Sequence, residues 1–327
     1  MKWMAVKCLL AATICFSFNA NHEPDKCVDW GFFGHKKINE LAVFTLPEEM
    51  FGFYKDHIEY LIEHSVDPDK RRYGVVGEAE CHYIDMDRYI TAVEPNPFKN
   101  VPRRWKDAVD KFSEDTLRAH GIVPWHVYLM YSRLTEAFRK EDVARILRLS
   151  AEIGHYIGDA HVPLHSTSNY NGQKTNQRGI HGFWESRVPE LFSDEFDFLT
   201  GKAFYISAPQ YYIWDRVEES FGATDSVLRI ERELTQSFGE DRKFTYETRG
   251  LANMKVYTEE FTRAYSEKLD GQIERRMRQA ILSIGSFWYT AWVDAGQPVL
   301  RRKNQEVIFE VDSAISDGDK LQVRDHE

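Results

Sequence analysis

The amino-acid sequence predicts an all-α protein built as a single multi-helix domain, which extends from about Trp30 to Pro298. Three observations support this prediction. Most segments between these residues carry apolar side chains at helical spacing, and only residues 238–248 have weak β character. No internal repeat or low-complexity linker divides the chain. Its hydrophobic fraction of 43% is enough for a sizeable core.

The domain is predicted to begin with two helices. A helix after Trp30 ends before Pro47, because proline lacks the backbone N–H that continues a helix. A second helix covers residues 50–64 and ends before Pro68, which disfavours helical backbone at the residue before it. Residues 71–101 show no clean period and are predicted to form loops.

Amphipathic helices are predicted along the rest of the domain. They cover residues 105–118, 125–139, 143–160, 210–234 and 257–293. After Pro298, residues 299–327 have no apolar periodicity, and we predict a mobile tail there.

Residues 1–20 have the features of a signal peptide. Lys2 and Lys7 are followed by an apolar run that ends at the small residue Ala20, and this run is too short to span a bilayer. We therefore expect export to the periplasm or the extracellular space, with residues 21–29 left as an N-terminal extension or propeptide.

Removal of the signal peptide makes an acidic chain more acidic. The formal charge moves from −10 to −12, because two lysines and no acids are lost. Such a chain gains nothing from counterion release, so it is a poor sequence-independent binder of nucleic acid or of an anionic membrane. Metal ions bound to the protein would reverse that sign locally.

Five potential zinc ligands lie within residues 155–185. His155 and Asp159 are four residues apart, so on a helix both side chains leave the same face. His181 and Glu185 repeat this spacing, and His165 follows a proline that ends the first helix. Either pair alone is more often a surface ion pair. The combination within about thirty residues favours a metal site.

An ordered string of motifs connects this stretch to the start of the domain. It consists of Trp30-Gly-x-x-Gly-His35, Asp67, His82-Tyr-Ile-Asp85, His155-x-x-x-Asp159, Pro163-Leu-His165 and His181-x-x-Trp184-Glu185. With this string the chain resembles the trinuclear zinc phosphodiesterases, which comprise the zinc-dependent phospholipase C enzymes and the single-strand nucleases of the S-one/P-one type. The resemblance covers residues 30–298 and implies a helical zinc hydrolase domain of the phospholipase C/P-one nuclease type.

The resemblance implies up to three zinc ions. Carried over position by position, the ligands of the first are Asp67, His82, His155 and Asp159; those of the second are Asp159, His35 and the main chain of Trp30; those of the third are His165, His181 and Glu185. Asp69 is the rival of Asp67. We prefer Asp67 because its fifteen-residue distance to His82 suits the nuclease pattern.

Trp30 departs from the family in its position along the chain. In the family this tryptophan is the mature N-terminus and its free amine binds zinc. Here, cleavage near Ala20 leaves about nine residues before Trp30. Either a second cut exposes the amine, or this zinc ion is bound weakly, or only a carbonyl contributes.

The resemblance also implies catalytic and substrate-binding residues. A water between the zinc ions linked by Asp159 is expected to attack phosphorus, since bound zinc lowers the pKa of water to about 7. Lys70 is three residues after the expected catalytic ligand Asp67 and matches the place of an arginine that contacts phosphate in the nucleases. The alternative is that Lys70 is an exposed lysine at a helix end. The candidates for the substrate pocket are Tyr83, Asp85 and Phe33. The alternative for the two aromatic residues is a place in the hydrophobic core.

Three residues beside the motifs are expected to be structural. If Trp30 and His82 both reach the zinc cluster, Cys27 and Cys81 lie near one another, and we predict a disulfide between them that contributes roughly 4 kcal/mol. Two independently buried cysteines are the alternative. His161 matches no ligand position of the family, and a hydrogen-bonded role is expected for it.

Three functions fit the sequence. The first is a phospholipase C-like phosphodiesterase acting on a phospholipid head group, favoured by Glu185, by the short His165–His181 interval and by the acidic charge. The second is a nuclease that cleaves single-stranded nucleic acid, favoured by the short Trp30–His35 interval. The third is a non-catalytic, zinc-stabilised helical binding protein. No stable protein partner is implied, although a phospholipid substrate would bring transient contact with a membrane surface.

Overall fold

Helices follow one another through most of the residues that the computed structural model describes, which are residues 30–249 and 252–300. The α-helices are α1 (Trp30–Val43), α2 (Glu48–Asp56), α3 (Ile58–His64), α4 (Asp67–Arg71), α5 (Pro97–Asn100), α6 (Trp105–Phe112), α7 (Glu114–Ala119), α8 (Val123–Arg139), α9 (Val143–Ala160), α10 (Ile180–Gly182), α11 (Val188–Phe192), α12 (Pro209–Phe238), α13 (Glu259–Lys268) and α14 (Gln272–Asp294). Short 3₁₀ turns cover Ala79–His82, Met86–Tyr89, Pro163–Ser166, Ser193–Glu195 and Glu240–Arg242, and a π-helical turn covers Phe183–Arg187.

Two strands form one small antiparallel hairpin. The strands are β1 (Phe244–Arg249) and β2 (Ala252–Tyr257), and their register pairs Phe244 with Tyr257 and Arg249 with Ala252. The hairpin agrees with the weak β character of residues 238–248, and its second strand ends at Tyr257, where the long helix was predicted to begin. The all-α prediction is confirmed, because helices form the rest of the architecture.

Several helices that were predicted as continuous are divided in the structure. The predicted helix over residues 105–118 breaks at Ser113, whose φ is 68°. The long helix predicted for residues 257–293 breaks at Asp270 and Gly271, with φ values of 50° and 68°. A positive φ cannot continue a right-handed helix. Each predicted helix is therefore divided into two, α6 and α7 on either side of Ser113 and α13 and α14 on either side of Asp270 and Gly271.

Helix α9 lies at the centre of the fold. It packs against α1, α3, α8 and α14, and most of its side chains are buried. Hydrogen bonds reach it from two neighbours: Trp288 Nε1 donates to the Ser150 carbonyl at 3.0 Å, and the Tyr54 and Ser150 hydroxyls are 2.9 Å apart. Among the described residues, the hydrophobic core around α9 extends from Ile38 to Trp292.

Two glycines of α9 allow α1 to approach its last turns. A Cβ on Gly154 would lie 1.9 Å from Oδ1 of Asn39, and a Cβ on Gly158 would lie 2.9 Å from the imidazole of His35. Real Cβ atoms do not come this close to other atoms, so a larger residue at either position would displace the side chain of Asn39 or His35. The crossing brings His35 of α1 beside Asp159 of α9.

Some predictions concern residues outside the described part of the chain. These are the signal peptide over residues 1–20, the extension over residues 21–29, Cys27, and the tail from residue 301 onward. Within the described residues, no helix has both the length and the apolar character needed to cross a membrane.

Candidate metal centre

The candidate centre begins with the spacing of His155 and Asp159 on α9. As expected for residues four apart on a helix, their side chains leave the same face, and His155 Nε2 lies 3.4 Å from Asp159 Oδ2. Both side chains are buried. The pair therefore presents a nitrogen and a carboxylate oxygen to one point inside the protein.

His82 reaches the same point from the 3₁₀ turn Ala79–His82. Its Nδ1 atom is 3.0 Å from Asp159 Oδ2 and 3.0 Å from His155 Nε2. The imidazole is fully buried. Three of the predicted ligands thus come together although they are separated by up to 77 residues in sequence.

His35 approaches the other oxygen of Asp159. Its Nε2 atom is 3.3 Å from Asp159 Oδ1, and its ring stacks on His155 with the ring centres 3.9 Å apart. The two carboxylate oxygens of Asp159 therefore face different histidines. This is the geometry of a carboxylate that can join two metal ions.

Asp69, and not Asp67, joins this group. Asp69 Oδ1 lies 3.5 Å from His155 Nε2 and 3.6 Å from His82 Nδ1. Asp67 instead lies at the surface, 2.5 Å from His64 Nδ1 and 2.8 Å from the ammonium of Lys70. Residues two apart on α4 point to opposite sides of a helix with 3.6 residues per turn. We therefore replace Asp67 by Asp69 in the candidate ligand set.

A second group of ligands forms around Glu185. His181 Nε2 lies 2.8 Å from Glu185 Oε1, and His165 Nε2 lies 3.5 Å from Glu185 Oε2. His165 comes from the turn after α9, while His181 and Glu185 lie on α10 and the π-helical turn that follows it. His165 Nε2 is also 3.9 Å from Asp159 Oδ1, so the second group lies next to the first.

Backbone carbonyls fix the imidazole rings. His155 Nδ1 is 2.9 Å from the Ser65 carbonyl, His165 Nδ1 is 2.6 Å from the His82 carbonyl, and His181 Nδ1 is 3.2 Å from the Tyr170 carbonyl. A carbonyl oxygen only accepts, so each Nδ1 carries the hydrogen and each Nε2 carries a lone pair.

This arrangement fits a metal ion better than it fits an empty polar pocket. The Nε2 atoms of His165 and His181 are 3.2 Å apart, and with these tautomers their lone pairs face each other. A cation between them replaces this repulsion by attraction. Imidazole nitrogens together with carboxylate oxygens are also the donor set that zinc prefers. The described residues contain three such groupings of potential ligands: His35, Asp69 and His155; His82, His155 and Asp159; His165, His181 and Glu185.

The carboxylates of Asp159 and Glu185 have opposite electrostatic environments. Burial opposes the ionisation of Asp159, but the neighbouring His155 and His165 outweigh it and hold the Asp159 pKa well below its usual range. For Glu185, burial dominates and raises the pKa to about 7. A nearby cation would therefore favour the ionised form of Glu185 at neutral pH.

The remaining predicted site residues lie in different settings. Tyr83 and Asp85 are buried, with exposed fractions of 1% and 6%, whereas Phe33 on α1 is 38% exposed. Trp30 is the first residue of α1. The thiol of Cys81 is buried and donates to the Gly77 carbonyl at 3.1 Å. Because Cys27 is outside the described residues, the predicted disulfide stays a prediction.

One buried residue beside the ligands was missed by the sequence reasoning. Glu78 lies 3.5 Å from Nε2 of His82 through its Oε1 atom. The spacing Glu78-x-x-x-His82 is the same four-residue spacing that identified the other pairs, so a signal was present in the sequence. It was hidden because residues 71–101 have no helical periodicity.

A separate cleft lies next to the second group. Its volume is about 260 Å³, and it lies between β2 and the segment that carries His181 and Glu185. The segment lines this cleft with Gly182, Phe183 and Ser186, but not with His181 or Glu185. The cleft is therefore distinct from the candidate metal centre.

A helical fold that buries clustered histidines and carboxylates is typical of metal-dependent helical proteins. Residues 34–247 match the family model described as zinc dependent phospholipase C. Because this match covers more than half of the sequence, the chain belongs to the zinc-dependent phospholipase C family. The predicted resemblance to the zinc-dependent phospholipase C enzymes is therefore confirmed.

Solved structures similar to this chain include two clostridial toxins. The alpha-toxin of Clostridium perfringens from an avian strain has a TM-score of 0.46 and 13% sequence identity, covering 80% of this chain and 64% of the toxin. The alpha toxin from Clostridium absonum has a TM-score of 0.42 and 13% identity, covering 86% and 66%. This chain thus spans just under two thirds of each toxin. A search among curated proteins gives no match.

Proposed function

We propose that this chain is an exported zinc-dependent phosphodiesterase of the phospholipase C type, which hydrolyses the phosphate ester of a phospholipid head group. The observation that carries the proposal is the position of Asp159. One of its oxygens faces His82 and His155, and the other faces His35. Membership of the zinc-dependent phospholipase C family supports the choice of metal and of substrate class.

The described residues offer ligands for up to three zinc ions. Asp69, His82, His155 and Asp159 would hold the first; His35 and Asp159, with the main chain of Trp30, the second; His165, His181 and Glu185 the third. Bound zinc supplies a water of lowered pKa and positive charge that neutralises the phosphoryl oxygens.

The chain itself provides the orientation of the metal ligands. Asp159 sets the separation of the first two ligand groups, because its carboxylate is rigid and both of its oxygens are engaged. Carbonyl acceptors at the Nδ1 atoms prevent His155, His165 and His181 from rotating away. Such preorganised ligands hold a substrate phosphate in one orientation without reorganisation during the reaction.

A panel of substrates tests the proposed function. The zinc-loaded full chain is incubated with phosphatidylcholine vesicles, a soluble choline phosphodiester, single-stranded DNA and RNA. We expect hydrolysis of the two choline esters. Cleavage of the nucleic acids alone would establish a nuclease instead, and no hydrolysis despite bound zinc would establish a binding protein.

Matched variants test the ligand assignment in the same panel. Asp69→Asn removes a carboxylate of the first group, so zinc affinity should fall at least ~10-fold and hydrolysis should fall with it. Asp67→Asn removes a carboxylate two residues away that binds Lys70 at the surface, so zinc affinity should stay within about threefold of the wild type. The reverse result would restore Asp67 as the ligand.

Export rests on residues 1–20 and is tested at the N-terminus. Sequencing of protein recovered outside the cytoplasm should show a start near residue 21 or, after a second cut, at Trp30. Recovery of the chain with residues 1–20 still attached would contradict export through a cleaved signal peptide.

A further inference from the structure

His82 faces the candidate metal centre in the opposite sense to the other histidines. His155, His165 and His181 direct Nε2 towards their groups, because Nδ1 faces a carbonyl. His82 directs Nδ1 towards Asp159 and His155, at 3.0 Å from each. Its Nε2 atom lies on the far side of the ring, 3.5 Å from Oε1 of Glu78. Nε2 makes no hydrogen bond within the described part of the chain, and the Glu78 carboxylate is its ion-pair partner there.

Glu78 is held in place by two buried or half-buried partners. Arg71 Nε donates to Glu78 Oε2 at 2.9 Å, and the Tyr156 hydroxyl donates to Glu78 Oε1. The same guanidinium also donates to the Tyr156 hydroxyl at 3.0 Å and to Glu152 Oε1 at 2.8 Å. The carboxylate of Glu78 therefore has little freedom to leave His82.

The charge of Glu78 determines which ring nitrogen of His82 carries the hydrogen. The guanidinium of Arg71 is always charged, and its ion pair with Glu78 Oε2 at 2.9 Å favours the ionised form of this carboxylate. An ionised carboxylate only accepts hydrogen bonds. The hydrogen of a neutral His82 is therefore stabilised on Nε2, which leaves the lone pair on Nδ1, the atom that faces the ligand group.

We propose that Glu78, held by Arg71 and Tyr156, is a positioning residue that fixes His82 as the Nε2–H tautomer and makes it a metal ligand through Nδ1. This inference rests on the metal site of the proposed function. A carboxylate behind a ligating imidazole orients the ring and makes its free nitrogen a stronger donor. Arg71 balances the buried charge of Glu78, which allows an anion to lie behind a ligand group that already contains two carboxylates.

The wild-type protein allows a direct test without any substitution. Long-range proton–nitrogen NMR spectra of the zinc-loaded chain, labelled at histidine, distinguish a protonated from a metal-bound ring nitrogen. His82 should show a metal-bound Nδ1 and a protonated Nε2, whereas His155, His165 and His181 should show the reverse. A metal-bound Nε2 at His82 would overturn the inference and leave the proposed function intact.

Two matched glutamate variants test the role of Glu78. Glu78 and Glu152 both bind Arg71, but only Glu78 faces His82. Cadmium NMR gives one resonance for each metal ion, so each ligand group can be titrated separately in one sample. Glu78→Gln should lower cadmium affinity ~10- to 100-fold at the group containing His82 and leave the group of His165, His181 and Glu185 within about threefold.

The control variant separates positioning from a general effect on folding. Glu152→Gln removes the same charge from Arg71 and should leave both cadmium affinities within about threefold of the wild type. The positioning role would be overturned if Glu78→Gln lowered the cadmium affinity of both ligand groups equally. It would also be overturned if Glu78→Gln and Glu152→Gln changed these affinities equally. A wild-type chain that binds no cadmium and no zinc would overturn the proposed function itself.

Discussion

Asp159 and His161 are neighbours in sequence, but their environments give them different roles. The carboxylate of Asp159 faces histidines on two sides. The imidazole of His161 is buried with both nitrogens satisfied: Nδ1 donates to the Ile157 carbonyl at 2.7 Å, and Nε2 lies 3.2 Å from the Ser283 hydroxyl. The hydrogen-bonded role expected for His161 therefore agrees with its contacts, and a histidine within a ligand motif is not by itself a ligand.

The burial of His161 predicts a pH dependence of stability. Burial and the nearby Arg276 lower the His161 pKa well below its usual range, so the folded state holds this imidazole neutral. Below about pH 6.5 the unfolded chain takes up a proton there that the folded chain does not. The free energy of unfolding therefore falls as the pH falls, by up to ~1.4 kcal/mol per pH unit from this residue.

Replacement of His161 isolates this contribution. Urea denaturation of the chelator-treated protein is measured between pH 7 and pH 5 for the wild type and His161→Gln. The variant should lose less stability than the wild type over this interval, because glutamine does not titrate. If the free energy of unfolding changed equally with pH in the two proteins, His161 would not be the cause of the acid sensitivity.

The crossing of α1 and α9 is the contact between helices on which the centre depends most. Gly158 and Asp159 are adjacent on α9, so the same turn that contacts the His35 ring also carries the carboxylate that faces it. The helices were predicted from their periodicity, but the crossing was not. Periodicity identifies the buried face of a helix and does not identify which other helix covers it.

A methyl group at the crossing should therefore damage both stability and metal binding. In Gly158→Ala the new Cβ would overlap the His35 ring, so we expect a loss of about 1–3 kcal/mol in the free energy of unfolding. Displacement of His35 from Asp159 should also reduce the number of zinc ions bound. Chemical denaturation and metal analysis of the purified protein measure the two effects.

Gly222 on α12 provides the control for this substitution. Nothing lies within 4 Å of a Cβ built at Gly222, so Gly222→Ala should be neutral or stabilising by up to ~1 kcal/mol. Equal effects of the two alanine substitutions would contradict a special role for the crossing.

The molecule as a whole encloses its candidate metal centre in the same core that stabilises the fold. The ligands come from α1, α4, α9, the turns after α4 and α9, and the segment from α10 onward. Three acids and five histidines are therefore brought together from distant parts of the chain. Buried carboxylates and facing imidazole nitrogens oppose folding unless a cation compensates them.

Zinc should therefore stabilise the whole fold. At a free zinc concentration 100-fold above the dissociation constant, one site adds about 2.7 kcal/mol to the free energy of unfolding. The thermal midpoint of the chelator-treated protein should rise when zinc is added, and magnesium, which prefers oxygen ligands, should have little effect. An unchanged midpoint with zinc would contradict a metal site in the core.

The spacing of local motifs was sufficient to predict part of this protein. The pairs His155–Asp159 and His181–Glu185 lie within one helical turn, so their proximity follows from helix geometry alone. Helix α9 was likewise predicted with its observed ends, because its apolar face repeats without interruption.

The tertiary structure was needed for everything that depends on how separate elements are rotated against each other. The rotation of α4 against α9 selects Asp69 over Asp67. The turn Ala79–His82 presents Nδ1 of His82 to the ligands and Nε2 to Glu78. A sequence motif does not separate residues one or two positions apart, whereas packing against a neighbouring helix brings only one of them into the ligand group.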